Sequence, residues 1–437
     1  MVKTLTPELG ADNGWFNALP EPPPARRITG TVKADWVVIG AGVTGLAAAR
    51  RLAEHLPDKR VLLVEAERVG SGTSGRNSGF LLHCNFMRAK GYGNDPETIF
   101  SDVRLHAHGV ETLRRLVGEN QIECQWHEFG MLWAGAGELG DAGVRDRVSG
   151  IEMLGQEARS LDRRAMARIT GSDFYTSGVI ADGTVLVQPA AMCRGLARTL
   201  PDNVDVYEQT PVIGIHRGRP CRLIVANGEI ETDGLVLCTN TFSPALGFGR
   251  NRMVPGALFA SLTRPLSSAE LDEVGEDGPW GILPGVVGGS TVRRTTDNRV
   301  LMRNGFSYVA SQRIEATVLV EMRAQHRASI AKRWPGLADV EIVDTWGGIV
   351  GSTRNRGHIF GLLADRIWGS IACNGANMAR GTTAGGLLAD MIVGAGSALL
   401  DIQLSVPKPS WLPPEPILGF FARRRRRQMA AIGVSER

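Results

Sequence analysis

The stretch Asp35-Trp36-Val37-Val38-Ile39-Gly40-Ala41-Gly42-Val43-Thr44-Gly45 narrows the choice of fold more than any other part of the chain. Val37, Val38 and Ile39 form a short apolar run of the kind a buried strand needs. Gly40, Gly42 and Gly45 follow with the spacing G-x-G-x-x-G. Residues 43–56 then carry apolar side chains at Val43, Leu46, Ala47 and Leu52, the pattern of an amphipathic helix. A second apolar strand at 60–64 runs into Glu65 and Ala66. Strand, glycine turn, helix, strand and acid thus follow one another within about 30 residues, the order of a dinucleotide-binding unit.

Each residue type has a physical reason. Gly40 permits the tight turn, Gly42 lets a diphosphate approach the backbone, and Gly45 lets helix and strand pack closely. Val43 and Thr44 open the helix, whose free N–H groups and positive dipole end attract phosphate. Glu65 stands 20 residues beyond Gly45 and can accept hydrogen bonds from a ribose diol.

With 437 residues, 43% of them apolar, the chain can bury a large core and fill two domains. The net charge of +4 is too small to imply nucleic acid, so no nucleic-acid partner is expected. Much of that charge sits in Arg423, Arg424, Arg425, Arg426 and Arg427. The cysteines (Cys84, Cys124, Cys193, Cys221, Cys238 and Cys373) form no CxxC pair and flank apolar residues, which reads as buried reduced thiols. No zinc spacing and no HExxH pattern occurs, so no metal site is expected. Residues 1–30 lack an apolar signal core, and no apolar run reaches the length of a membrane span. The expectation is a cytoplasmic protein.

Directly after the acid comes Val69-Gly70-Ser71-Gly72-Thr73-Ser74-Gly75-Arg76-Asn77-Ser78-Gly79-Phe80. Its small residues would suit a flexible linker. Arg76, Asn77 and Phe80 are bulky and specific, however, and suit a loop wrapping a long cofactor, with Ser74, Ser78 and backbone N–H groups, including that of Gly79, meeting it. The acid followed by V-G-x-G-x-S-G-R-N-x-G resembles the D-amino-acid oxidase-like superfamily of FAD-dependent amine oxidoreductases. Its nearer branches are gamma-glutamylputrescine oxidoreductase, glycine oxidase and sarcosine oxidase.

The resemblance implies an α/β architecture: a Rossmann-type FAD-binding domain plus an α+β substrate domain with a mainly antiparallel sheet. It divides the chain into an N-terminal arm (1–33), a discontinuous FAD domain (34–96, 185–249, 346–400), a substrate domain (97–184, 250–345) and a basic tail (401–437). It also implies a backbone contact to adenine at Val212 and small residues beneath the cofactor at Thr239 and Asn240. Gly348 follows in the return strand. A loop carrying Gly375, Ala376, Asn377, Met378 and Ala379 would pass the flavin pyrimidine, ahead of a helix at 383–393 whose positive end faces N1 and the C2 oxygen. Asn377 stands where the family often has glycine. Family members that attach FAD covalently use a cysteine near the return strand or a histidine in the glycine loop. Gly351-Ser352-Thr353 and residues 74–80 offer neither, so non-covalent FAD is expected.

Several segments complete the reading. The Pro-rich residues 19–24 suggest an extended arm on the surface. Residues 97–118 read as a helix with Val103, Val110, Leu113 and Val117 on one face. Residues 293–302 look like a hairpin of the substrate domain. A helix at 313–334 aligns Val320, His326 and Ile330, with His326 a half-exposed packing residue. The tail reads as a helix docked by Ile417, Leu418, Phe420 and Phe421 with a solvated basic end, or as a weak membrane-surface contact through the arginines.

The implied chemistry is oxidation of the CH–NH bond of a primary or secondary amine or amino acid to an imine, by hydride transfer to flavin N5. Electrons then pass to oxygen, or in a dehydrogenase to a quinone or protein acceptor. A non-catalytic flavin-binding protein with a basic recruitment tail is the remaining alternative. No catalytic triad is needed, because proximity and electrostatics supply most of the effect. Arg294 and Arg303 are candidates to fork a substrate carboxylate. Trp346 and Phe259 are candidates for an aromatic wall, and His83 for approach to the flavin ring.

Overall fold

The computed structural model describes residues 8–9, 13–84, 96–372, 374–375 and 378–436. Two eight-stranded sheets organise it. At the centre of the first lies the strand Gly30–Ile39, parallel to Gly228–Leu237 on one side and to Val61–Val64 on the other. Val204–Tyr207 extends the parallel array beyond Val61–Val64, and Ile367–Ile371 runs parallel to the end of Gly228–Leu237. Val61–Val64 is buried on both faces, as parallel strands covered by helices must be.

The turn at 40–42 feeds the helix Val43–His55. An added Cβ on Gly45 would stand 1.8 Å from the Gly40 carbonyl oxygen, so only glycine allows this approach of helix to turn. Leu46, Ala49 and Leu52 of the helix are buried with Val38, Val61, Leu63 and Leu388. Each fully buried leucine contributes roughly 1.5–3 kcal/mol.

The second sheet runs, in spatial order, Ile342–Ser352, Val254–Thr263, Val300–Tyr308, Thr291–Arg294, Trp280–Pro284, Met131–Gly135, Ser177–Ala181 and Arg159–Asp162. Its pairings are antiparallel except that between Trp280–Pro284 and Met131–Gly135. The hairpin expected at 293–302 is the pair Thr291–Arg294 and Val300–Tyr308. Trp280, Trp334, Val292, Met302 and Ile330 fill the core between this sheet and the helix Ala316–Arg333. Two α/β lobes with a mainly antiparallel second sheet are the fold class the sequence suggested.

Five local expectations change. The helix Pro96–Glu119 buries Val110, Leu113 and Leu116 with Ala379 and Leu388, so it packs on the first lobe although its sequence position suggested the second. The return strand Ile342–Ser352 lies wholly in the second sheet, because it pairs along its length with Val254–Thr263; a boundary at residue 346 cuts through it. The arm lies on the surface over residues 19–27, as expected, but its beginning does not: Asn13 and Trp15 are buried, held by polar partners given below. Along Ala316–Arg333 the buried face is Leu319, Met322, His326 and Ile330, and Val320 points outward at 71% exposure. His326 is fully buried and bonded to the Ser261 hydroxyl at 2.7 Å. The helix expected from 383 begins at Met378, one turn earlier. No single helix among the described residues is long and apolar enough to cross a membrane.

Candidate cofactor and active site

The end of the first strand, the glycine turn and Glu65 form one rigid corner. The Ala41 N–H donates to Glu65 Oε2 at 2.8 Å, and the Glu67 N–H donates to Oε1 at 3.1 Å. Burial pushes the Glu65 carboxyl up, and these N–H groups oppose that shift. At the helix N-terminus the Val43 N–H donates to Ser74 Oγ at 3.0 Å, which ties the 69–80 loop to the mouth of the helix.

That loop is held by its carbonyls. The Asn13 side-chain amide donates to the Gly75 oxygen at 2.6 Å, and the Trp346 indole donates to the Arg76 oxygen at 3.0 Å. The Trp15 indole donates to the Asn77 oxygen at 2.8 Å. Arg293 Nη1 donates to the oxygens of Ser78 and Gly79, both at 3.3 Å, and to that of Val187 at 2.5 Å. Five successive carbonyls are therefore satisfied by side chains from three distant segments. A Cβ on Gly79, whose φ is +77°, would stand 2.2 Å from Arg293 Nη1. Trp15 and Trp346 meet edge to face at 6.3 Å, and Gln188 Nε2 donates to the Trp15 carbonyl at 2.6 Å. Within the loop, the Asn77 amide donates to the oxygens of Thr73 and Ser74 and its oxygen accepts from the Gly79 N–H. Burial lowers Arg293 to about 9, and it remains a cation at neutral pH.

The loop borders a cavity of about 790 Å³ that both lobes line, within the range of a large ligand pocket. Glu65, Ala66, Thr210 and Val212 line it. So do Gly40, Gly42, Val43, Thr44 and Ser74 of the glycine turn, helix mouth and loop. Arg76, Asn77, Ser78, Thr239, Asn240, Gly348, Gly375 and Met378 also border it, as do Phe80, Leu258, Phe259, Thr291 and Arg303. The series of an acid, a helix N-terminus and a loop fixed by its carbonyls fits a dinucleotide with a planar ring system.

Of the remaining expected cofactor contacts, Gly45 and Gly79 stand behind the wall as packing residues. Ala379 also does not line it, because it is buried against Gly109 of the helix Pro96–Glu119. Ala376 and Asn377 lie outside the described residues. The substrate candidates separate. Arg303 is in the wall, donating Nη1 to Thr291 Oγ1 at 3.0 Å; burial lowers its pKa, and no carboxylate pairs with it among the described residues. Arg294 is buried elsewhere, bonded to the Glu276 carbonyl at 2.7 Å and to Asn298 Oδ1, because alternation along the strand turns it away from the cavity. Trp346 faces the arm and the loop carbonyl rather than the cavity. His83 contacts Gln156 and Cys84, while its neighbours Leu82 and Cys84 reach the cavity.

Sequence reasoning missed Asn13, Trp15, Arg293 and His106. His106 lies fully buried in the cavity wall, and its Nδ1 donates to the Asp102 carbonyl at 2.8 Å. Burial disfavours its charged form. The first three reach the loop only through tertiary folding. His106 shares the buried face of its helix with Val110 and Leu113, and that periodicity was visible.

Fold and site together define a two-lobed, dinucleotide-dependent oxidoreductase. A family model described as FAD dependent oxidoreductase matches residues 35–391. The chain belongs to this family, is an enzyme, and uses FAD. It is 27% identical over 388 residues to a probable oxidoreductase OrdL of Haemophilus influenzae, covering 86% of each chain. To the gamma-glutamylputrescine oxidoreductase of Escherichia coli it is 26% identical over 378 residues, covering 83% of this chain and 84% of the relative. Among solved structures, glycine oxidase from Geobacillus kaustophilus superimposes with a TM-score of 0.69 at 17% identity, covering 84% of this chain and 96% of that one. The chain is thus an FAD-dependent oxidoreductase of the amine and amino-acid oxidase family.

Proposed function

We propose that this enzyme oxidises the CH–NH bond of an amine that also bears a carboxylate, an amino acid or a carboxylated primary or secondary amine, giving the imine. FAD, when bound, supplies the acceptor for the hydride leaving the carbon. The observation that carries the reading is Arg303: a half-buried guanidinium in the wall of the cavity, tethered to Thr291 and paired with no acid among the described residues. A carboxylate is the partner such a cation lacks, and two parallel N–H donors would fix its orientation. Phe80, Leu258 and Phe259 exclude water around the reacting carbon. The relatives named for gamma-glutamylputrescine and glycine support an amine substrate.

The chain's own contribution is binding, orientation and a dry chamber rather than proton transfer by a triad. The positive end of the helix Met378–Val393 favours negative charge at its mouth. FAD is held without a covalent bond, since the stretches where the family forms one carry no nucleophile.

An anaerobic screen of amines and amino acids tests the reading. Bleaching of the yellow absorbance by a carboxylate-bearing amine, but not by the analogue lacking the carboxylate, is the expected result. Bleaching by neither class overturns it. Peroxide formed in air identifies oxygen as acceptor, and turnover only with added quinone or dye identifies the dehydrogenase form.

A further inference from the structure

The helix Ile417–Ile432 is attached to the second lobe by one face and presents the wrong kind of residue on the other. Arg426, Met429 and Ala430 line a small pocket with Phe306, Met322 and Gln325, and Gly419 is buried. At 100° per residue, Ile417, Phe420, Phe421, Arg424, Arg427 and Ile432 fall on the opposite, outward face. There Phe420 is 61% exposed, Phe421 58% and Ile417 51%. Trp411, just before the helix, is 56% exposed. The sequence suggested that the phenylalanines dock this helix. They do not.

The outward face is held firmly. Before the helix, the Tyr308 hydroxyl donates to the Glu415 carboxylate. After it, the buried Glu436 carboxylate accepts from the N–H groups of Ala136, at 3.2 Å, and Val286, at 3.1 Å, while Arg333 Nη2 donates to the Glu436 carbonyl at 2.8 Å. The helix is therefore a fixed platform of aromatic and aliphatic side chains interleaved with arginines. No ion pair involves any of the five arginines among the described residues.

We infer that this face docks on an anionic lipid surface. Charge complementarity selects the occupant. A second copy would bring the outward arginines of both copies, Arg424 and Arg427, together. A neutral apolar partner would leave the arginines desolvated without counter-charge. An anionic bilayer accepts the rings at the depth of its headgroups and the guanidinium groups at its phosphates, the arrangement of helices that lie in the interface. Each arginine near such a surface strengthens binding roughly fivefold, and each ring about tenfold when buried.

The test uses the full-length holoenzyme in vesicle sedimentation at 0.15 M NaCl, with phosphatidylcholine alone or with ~30% phosphatidylglycerol. Binding to the anionic vesicles only is expected. It should weaken at least roughly tenfold in the F420S/F421S double variant, and likewise in the R424Q/R427Q double variant. Flavin absorbance and turnover should be unchanged in both. The same binding should fall as salt is raised, a readout that needs no variant. Absence of binding to anionic vesicles overturns the inference. So does equal binding to both vesicle types. Loss with the arginine variant but not the phenylalanine one also overturns it, since a purely electrostatic surface is what an acidic protein or nucleic acid would use.

Discussion

Replacing Trp15 by phenylalanine removes one N–H and keeps most of a ring. Its indole nitrogen donates to the Asn77 oxygen at 2.8 Å in the middle of the five held carbonyls. The loop is made of small residues and gains little from apolar burial, so these hydrogen bonds carry its docking. At about 1 kcal/mol net each, the five bonds contribute roughly 5 kcal/mol. Ordering five residues costs on the order of 5–10 kcal/mol. Without cofactor the docked loop is therefore close to balance. Orphaning one buried carbonyl costs about 1–3 kcal/mol, enough to tip the loop to the undocked side. FAD must then pay for re-ordering it, and its dissociation constant should rise roughly 5- to 150-fold. The assay is fluorescence titration of apoprotein with FAD, with amide exchange across residues 71–79 as the independent readout. Trp346→Phe, which removes the donor to the neighbouring Arg76 oxygen, should act alike. The double variant should lose less than the two single losses combined, because both act on one loop. An FAD affinity within twofold of wild type, with exchange unchanged, refutes the reasoning.

Three further outcomes are expected. Arg303→Met should lower kcat/KM for a carboxylate-bearing amine by about 10- to 150-fold, the worth of a charged hydrogen-bonded pair; a decarboxylated analogue should change by no more than about threefold, and steady-state kinetics on the two compounds checks it. Gly45→Ala places a methyl 1.8 Å from the Gly40 oxygen, so the purified protein should carry little flavin and be destabilised by about 1–3 kcal/mol in urea. His326 is held neutral in the core, its pKa lowered by burial to about 4 from 6.5. The unfolded chain binds the proton first, so stability is complete above about pH 6.5 and declines as pH falls toward 4, by about 3 kcal/mol at the most. Denaturant midpoints at pH 7.5 and 5 should differ less in His326→Gln than in the wild type.

The nucleotide corner was legible in the sequence because every step of it is local: strand, turn, helix and acid are contiguous, and Gly45 has a reason within five residues of itself. The loop at 69–80 was legible as a place but not as a mechanism. Its own residues say where it goes, and the donors that hold it come from Asn13, Trp15, Arg293 and Trp346. Arg303 and Arg294 look alike in sequence. Only the pairing register, which sets Arg303 opposite Thr291 and Arg294 opposite Trp280, decides which one faces the cavity. Phe420 and Phe421 misled for a related reason. Hydrophobicity says that a residue prefers to leave water, and says nothing about whether this lobe has a face to receive it. Val320, outward on its helix, makes the same point.

The bonds to the loop carbonyls span 62 residues to Asn13 and Trp15, 214 and 215 to Arg293, and 270 to Trp346. A chain emerging from the ribosome has its G-x-G-x-x-G turn early, yet cannot close the loop beside it until strand Ile342–Ser352 has been made and paired. Cofactor capture is thereby tied to near-complete synthesis. A truncated or stalled chain, lacking the donors Arg293 and Trp346, would keep an open loop and hold FAD less tightly.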